Sequence, residues 1–149
     1  MFNLLRSLYF ILGWKTFGAQ HCGGGMRFNI NILKSMEIKL KRVYDPVSPA
    51  DGFRVYVDRL WPRGLSHETF HYDLWDKDIA PSDGLRKWFH ADPEGRWQEF
   101  ERRYLYELEH SAPFTEFRRH LSGHNVVTLL YSSRDEEHNN ARVVEETLG

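Results

Sequence analysis

The chain has 149 residues, 41% of them hydrophobic and 28% charged, which is the size and balance of one ordinary globular domain and excludes a fibrous or disordered class. A formal charge of −1 supplies no global field to draw it to nucleic acid or to an anionic membrane. The only cysteine, Cys22, rules out an internal disulfide, and residues 36–149 lack the thiolate that Cys-dependent phosphatases, sulfurtransferases and thioredoxins need.

Residues 1–35 carry Arg6, Lys15, Arg27 and Lys34 and no acidic side chain, leaving 16 basic and 21 acidic side chains in the remainder. The body is therefore mildly acidic. The apolar run Leu4 to Trp14 has some character of a signal or transit peptide, but it is shorter than the roughly 20 apolar residues a membrane span needs. Gly23 to Gly25 form a flexible tract in place of a small-residue cleavage site. The reading favoured is a leader over 1–35, disordered or an over-extended start, with the working domain beginning at Met36.

Ile38 and Leu40 alternate with Lys39 and Lys41, the period of a half-buried strand, which Tyr44-Asp45-Pro46 ends. After a turn over Ser48 to Gly52, Phe53 to Leu60 predicts a second strand, broken by Trp61-Pro62-Arg63-Gly64. Ser82 is a predicted N-cap of a helix burying Leu85, Trp88 and Phe89; Asp92 and Pro93 restart the chain as N-cap and N1. Trp97, Phe100, Tyr104 and Leu108 form one apolar stripe on what should be the longest helix. Pro113 opens a short helix with Phe114, Phe117 and Leu121 inward and Gly123 at its C′ position. Asn125 to Tyr131 is nearly continuous in apolar residues, as in a central strand covered on both faces. Asp135 is a predicted cap for a last helix burying Ala141, Val144 and Leu148. Strands interleaved with helices make this a single α/β layered domain, with a mostly parallel sheet flanked by helices. Its core should be rich in the five Trp, seven Tyr and ten Phe.

Several stretches, RVYD at 42–45, DGFRVYVDRLWPRG at 51–64, LWDKDIAPS at 74–82, LRKWFHADP at 85–93 and LLYSSRD at 129–135, strongly resemble the YeaO-like family of small bacterial proteins, a domain-of-unknown-function group. The resemblance spans Met36 to Gly149. It implies a Rossmann-like α/β sandwich in a cytoplasmic bacterial protein that starts near Met36, and no agreed activity. Two departures from the family pattern are His67, where the family usually has Lys, and one small extra residue between His90 and Asp92.

Three constellations carry chemistry. The first, Asp58-Arg59-Leu60-Trp61-Pro62-Arg63-Gly64, follows a strand, and ligands of open α/β sheets bind beyond the carboxyl ends of strands. Arg59 and Arg63 suit a phosphate or carboxylate, Trp61 a planar group, with Lys77, Ser82 and Arg86 as further donors. The alternative is scaffold: paired Asp58 and Arg59, a packed Trp61 and a plain turn. Strand alternation would send Asp58 and Arg59 to opposite faces unless the chain bends. The second is Tyr131-Ser132-Ser133-Arg134-Asp135 with Asn139, where N–H groups and hydroxyls could cradle a phosphate and Tyr131 or Asp135 could transfer a proton. Its alternative is a turn capped by Asp135. The third, His67-Glu68-Thr69-Phe70-His71, matches the zinc-hydrolase string of two imidazoles one helical turn apart, with Glu94 as a distant third ligand. It lacks room for a long helix and has no third histidine at the metzincin spacing. Of the scattered histidines, His90 lies near a helix end. No Walker loop, GxGxxG or GxSxG occurs, so the cofactor is unknown and none is strongly indicated.

Two function classes follow. One is an enzyme on a small phosphorylated or carboxylated substrate, with Arg59 and Arg63 as clamps and Asp58 or Asp135 as acid/base. The other is a noncatalytic module that holds a small anionic ligand, RNA or a protein partner through the same residues. A transcription factor fits less well, because the body is acidic and shows no basic recognition helix. Oligomeric state is open.

Overall fold

The computed structural model describes residues 36–149. The reading of residues 1–35 as a leader lies outside the described residues.

Four strands, β1 (Glu37–Arg42), β2 (Phe53–Tyr56), β3 (Leu74–Trp75) and β4 (Val126–Tyr131), make one sheet in the order β1-β4-β2-β3. All three pairings are parallel, so the expected mostly parallel α/β domain is present in fully parallel form. The apolar run of β4 has its reason: it lies in the middle, and Val127 to Tyr131 are all buried. Helices α1 (Asp83–His90), α2 (Pro93–Glu109), α3 (Ala112–Leu121) and α4 (Asn140–Leu148) complete the domain. None of the helices among the described residues is long and apolar enough to cross a membrane.

Strand alternation divides the core in two. Ile38, Leu40, Val55, Val57, Val127, Leu129 and Tyr131 face the helices, whose Phe89, Phe100, Tyr104, Phe117 and Val144 share the same cluster. On the opposite face Tyr56, Leu130, Val43 and Phe70 pack with Trp61, Leu65, Tyr72 and Trp75, so the loop over residues 57–73 covers what the helices leave. The α2 stripe read from the sequence is the buried one, with Phe100, Tyr104 and Leu108 inside and the Tyr104 hydroxyl donating to Ile79 O at 2.7 Å. Ser82, Asp92 and Ser111 cap α1, α2 and α3 through their side chains.

Two predicted boundaries move. The last helix is capped by Asn139, whose side chain accepts from Arg142 N; Asp135 stands too early and folds a turn instead, accepting from Glu137 N and His138 N at 2.9 Å each. Strand β2 stops at Tyr56, short of Leu60, because side chains take over its ladder. Val57 N still donates to Leu130 O, but the next β4 donor, Ser132 N, goes to the Asp58 carboxylate at 2.9 Å. Asn140 Nδ2 and Trp75 Nε1 then donate to Val57 O and Asp58 O at 3.2 and 2.8 Å. A short polar side chain that competes with backbone partners ends a strand in this way. Upstream, Gly52 enters β2 at φ 62°, where a Cβ would stand 2.3 Å from Val126 O, so both backbone freedom and close approach require glycine there.

Candidate functional site

A cavity of about 760 Å³ opens beyond the carboxyl ends of β1, β2 and β4, where side chains that leave the ladder are free to meet a ligand. Arg42 and Tyr44 reach it from β1; Asp58, Arg59, Leu60, Trp61 and Arg63 from β2; Ser132, Ser133 and Arg134 from β4. Ala80, Pro81, Arg86, Phe89, His90 and Phe100 form another wall, with His138, Asn139 and Asn140 at the start of α4. Phe89 and Phe100 stack with centroids 4.2 Å apart, so part of the wall is flat and apolar.

The early end of β2 resolves the alternation question. Once the chain leaves the strand after Val57, both Asp58 and Arg59 line the cavity, although strict alternation would separate them. They do not satisfy one another. Asp58 Oδ2 accepts from Ser132 N and from the Ser132 hydroxyl. The Tyr56 hydroxyl lies 3.3 Å from the same oxygen, while its single proton has a closer acceptor in Leu60 O at 2.7 Å. Burial, and then the neighbouring Asp58 charge, push the Tyr56 hydroxyl far above its ordinary value, so it stays a donor. Asp58 Oδ1 is buried and has no hydrogen-bond partner among the described residues.

The guanidiniums are equally unsaturated. Arg59 Nε stands 3.8 Å from Asp83 Oδ1 and an Arg86 terminal nitrogen 3.6 Å from the same oxygen; both separations exceed hydrogen-bond length. Arg59 also reaches Ala80 O, at 3.5 Å. The Nε atoms of Arg59 and Arg86 are buried without a hydrogen-bond partner among the described residues. Arg42 is better held: its Nε donates to Ser133 O at 2.9 Å and its guanidinium lies over the Tyr44 ring at 5.2 Å. The Tyr44 hydroxyl fixes the Arg63 backbone by donating to its carbonyl at 3.0 Å.

The structure therefore brings together Asp58, Arg59, Trp61, Arg63, Arg86, Ser132 and Ser133, and separates the other predicted residues from them. Lys77 is exposed on the 3-10 turn Lys77–Ile79. Ser82 does cap α1, but the helix end is already served by a carboxylate of the protein: Glu107 accepts from Ser82 N at 2.9 Å and from its hydroxyl at 2.5 Å. Tyr131 is buried in the main core, where burial pushes its hydroxyl up. Asp135 is exposed, and the backbone N–H groups of His138 and Glu137 hold its carboxyl below the ordinary range, which suits a turn-former and not a proton donor at neutral pH. Trp61 borders the cavity, but its indole N–H donates to Leu65 O at 2.7 Å and its ring packs on His67, Phe70, Tyr72 and Trp75. It is a wall more than a free stacking platform.

The zinc-hydrolase string has no helix to place its imidazoles. Residues 67–69 are a turn and His71 is in irregular backbone; His67 lies against Trp61 at 3.9 Å. Among the described residues no group of three or more His, Cys, Asp or Glu side chains could hold a metal ion. Arg42, Tyr44, Phe100, His138 and Asn140 escaped the sequence reading. The strand-end rule applied to β1 as well as to β2 and β4 points to Arg42 and Tyr44, whereas Phe100 belongs to the stripe that periodicity places in the core.

Residues 37–149 match the family described as the inactive DUF488-N3 subclade. Uncharacterized protein Rv3073c of Mycobacterium tuberculosis is 39% identical over 117 residues, which is 78% of this chain and 98% of that protein. Uncharacterized protein YeaO of Escherichia coli is 40% identical over 113 residues, 76% of this chain and 97% of that protein. No solved structure matches. The match over 37–149 and the near-complete coverage of these relatives agree with the resemblance read from the sequence motifs, and the chain belongs to the YeaO-like DUF488 family.

Proposed function

We propose that the domain is a noncatalytic module that binds a small anionic ligand in the strand-end cavity. The observation that carries this reading is the pair of buried guanidinium Nε atoms, on Arg59 and Arg86, that lack a hydrogen-bond partner among the described residues beside a cavity also bordered by Arg42 and Arg63. Buried donors without partners are costly, and an oxyanion is the group that guanidinium forks fit best. A volume of about 760 Å³ suits a small molecule better than a folded partner or a nucleic-acid strand. Two things favour binding over turnover: Asp58 Oδ2 is engaged by Ser132, and the matched subclade is described as inactive.

Thermal unfolding of the full chain with inorganic phosphate and with small aromatic carboxylates tests this. An anion at 100 times its Kd should stabilise by about 2.7 kcal/mol, raising Tm by roughly 8–11 °C, and Arg59→Ala or Arg86→Ala should abolish the shift. Shifts that survive both substitutions would move the site elsewhere. Conversion of a bound anion to product would overturn the noncatalytic reading.

A further inference from the structure

Arginine clusters alone attract any anion, yet this cavity also holds an acceptor. Asp58 sits among the guanidiniums, borders the cavity and ion-pairs with none of them within 4.0 Å. One of its oxygens is tied to Ser132, which pins the carboxylate, and the other, Oδ1, is buried with no partner among the described residues. A pinned acceptor left beside unsaturated donors repels a ligand that is only an acceptor, and it rewards one that brings a proton of its own. Building on the anion-binding reading, we infer that the ligand is an oxyanion carrying an O–H donor, with its charge on Arg59 and Arg86 and its O–H donated to Asp58.

Hydrogen phosphate is the smallest such species, because it keeps a proton at neutral pH; sulfate has the same shape and charge and no proton. The cavity is far larger than either and is walled on one side by the stacked Phe89 and Phe100, so a hydroxylated organic acid with a flat apolar body fits the same rule. Asp58 is then the residue that sets specificity, while the arginines set affinity.

The experiment is calorimetric titration of the full chain at pH 7 with two matched pairs: phosphate against sulfate, and 3-phenyllactate against 3-phenylpropionate, which differ by one hydroxyl. Preference for the protonated or hydroxylated partner by about tenfold or more in either pair supports the inference, and the responding pair identifies the head group as phosphate or carboxylate. In Asp58→Asn the preference should shrink to about twofold or less, since an amide both donates and accepts. Equal binding within both pairs, lost in Arg59→Ala, overturns the donor requirement and leaves the anion site standing; a preference that persists in a folded Asp58→Asn also overturns it. If none of the four anions binds, the anion-site reading fails and this inference fails with it. The wild-type ranking decides even if Asp58→Asn does not fold.

Discussion

Two groups of charged side chains border the same sheet and obey opposite rules. On the sheet face away from the helices, Asp51, Arg54, Lys41 and Thr128 form a closed network. Lys41 Nζ donates to Asp51 Oδ1 at 2.9 Å, Ser48 N to Oδ2 at 3.0 Å, Thr128 Oγ1 to the Asp51 carbonyl at 2.6 Å, and Arg54 pairs with Asp51 while its Nε donates to His71 O at 3.0 Å. Beyond the strand ends, Asp58, Arg59 and Arg86 each keep a buried polar atom without a partner among the described residues. Charges that serve only the fold saturate one another. Under the proposed function those that do not are completed by the ligand, and this contrast separates the candidate site from scaffold more sharply than charge density does.

The contrast can be broken at either end. The largest effect is expected at Arg54→Ala, which leaves Asp51 buried at 5% exposure without its guanidinium; urea unfolding should show a loss of about 3–5 kcal/mol. A loss below about 1 kcal/mol would mean that the network is not closed in the sense described here. Acid comes next. Burial raises the Asp51 carboxyl, but the Ser48 N–H, Lys41 and Arg54 together outweigh burial and hold it below its usual 3.8. A depressed folded value contributes stability above the unfolded value and loses it as pH falls through the folded one. Stability measured downward from about pH 5 should therefore fall more steeply in the wild type than in Asp51→Asn, which begins less stable; parallel curves would sink the assignment. The smallest effect belongs to the open group. Arg59→Ala and Arg86→Ala should change stability in anion-free buffer by less than about 1 kcal/mol, since the contacts they lose are loose and partly exposed. A loss as large as that of Arg54→Ala would make these arginines scaffold.

Much of this was legible in the sequence. The alternation of Ile38 and Leu40 with Lys39 and Lys41 assigned the two faces of β1, the apolar run at 125–131 marked the central strand, and the strand-end rule placed both loops that line the cavity. What escaped depends on partners remote in sequence. Nothing near Ser82 says that Glu107 occupies its helix end. Asp135 and Asn139 are both good caps, and only the three-dimensional start of α4 chooses between them. The end of β2 was misplaced because Val57 to Leu60 has strand propensity, while the groups that replace its ladder come from Ser132, Asn140 and Trp75.

The strand order has a consequence for how the chain is made. β4 is the common partner of β1 and β2, yet it is the last strand to be synthesised. A nascent chain that has left the ribosome only as far as α3 carries β1 with no neighbour and β2 with only the two-residue β3 beside it. The sheet cannot assemble until Val126–Tyr131 has emerged, so β1 must wait unpaired while most of the domain is translated. Parallel pairing across such separations is slow, and the unpaired edges it leaves are exposed to aggregation. Truncation before residue 126 should therefore yield an insoluble product in place of a smaller folded one.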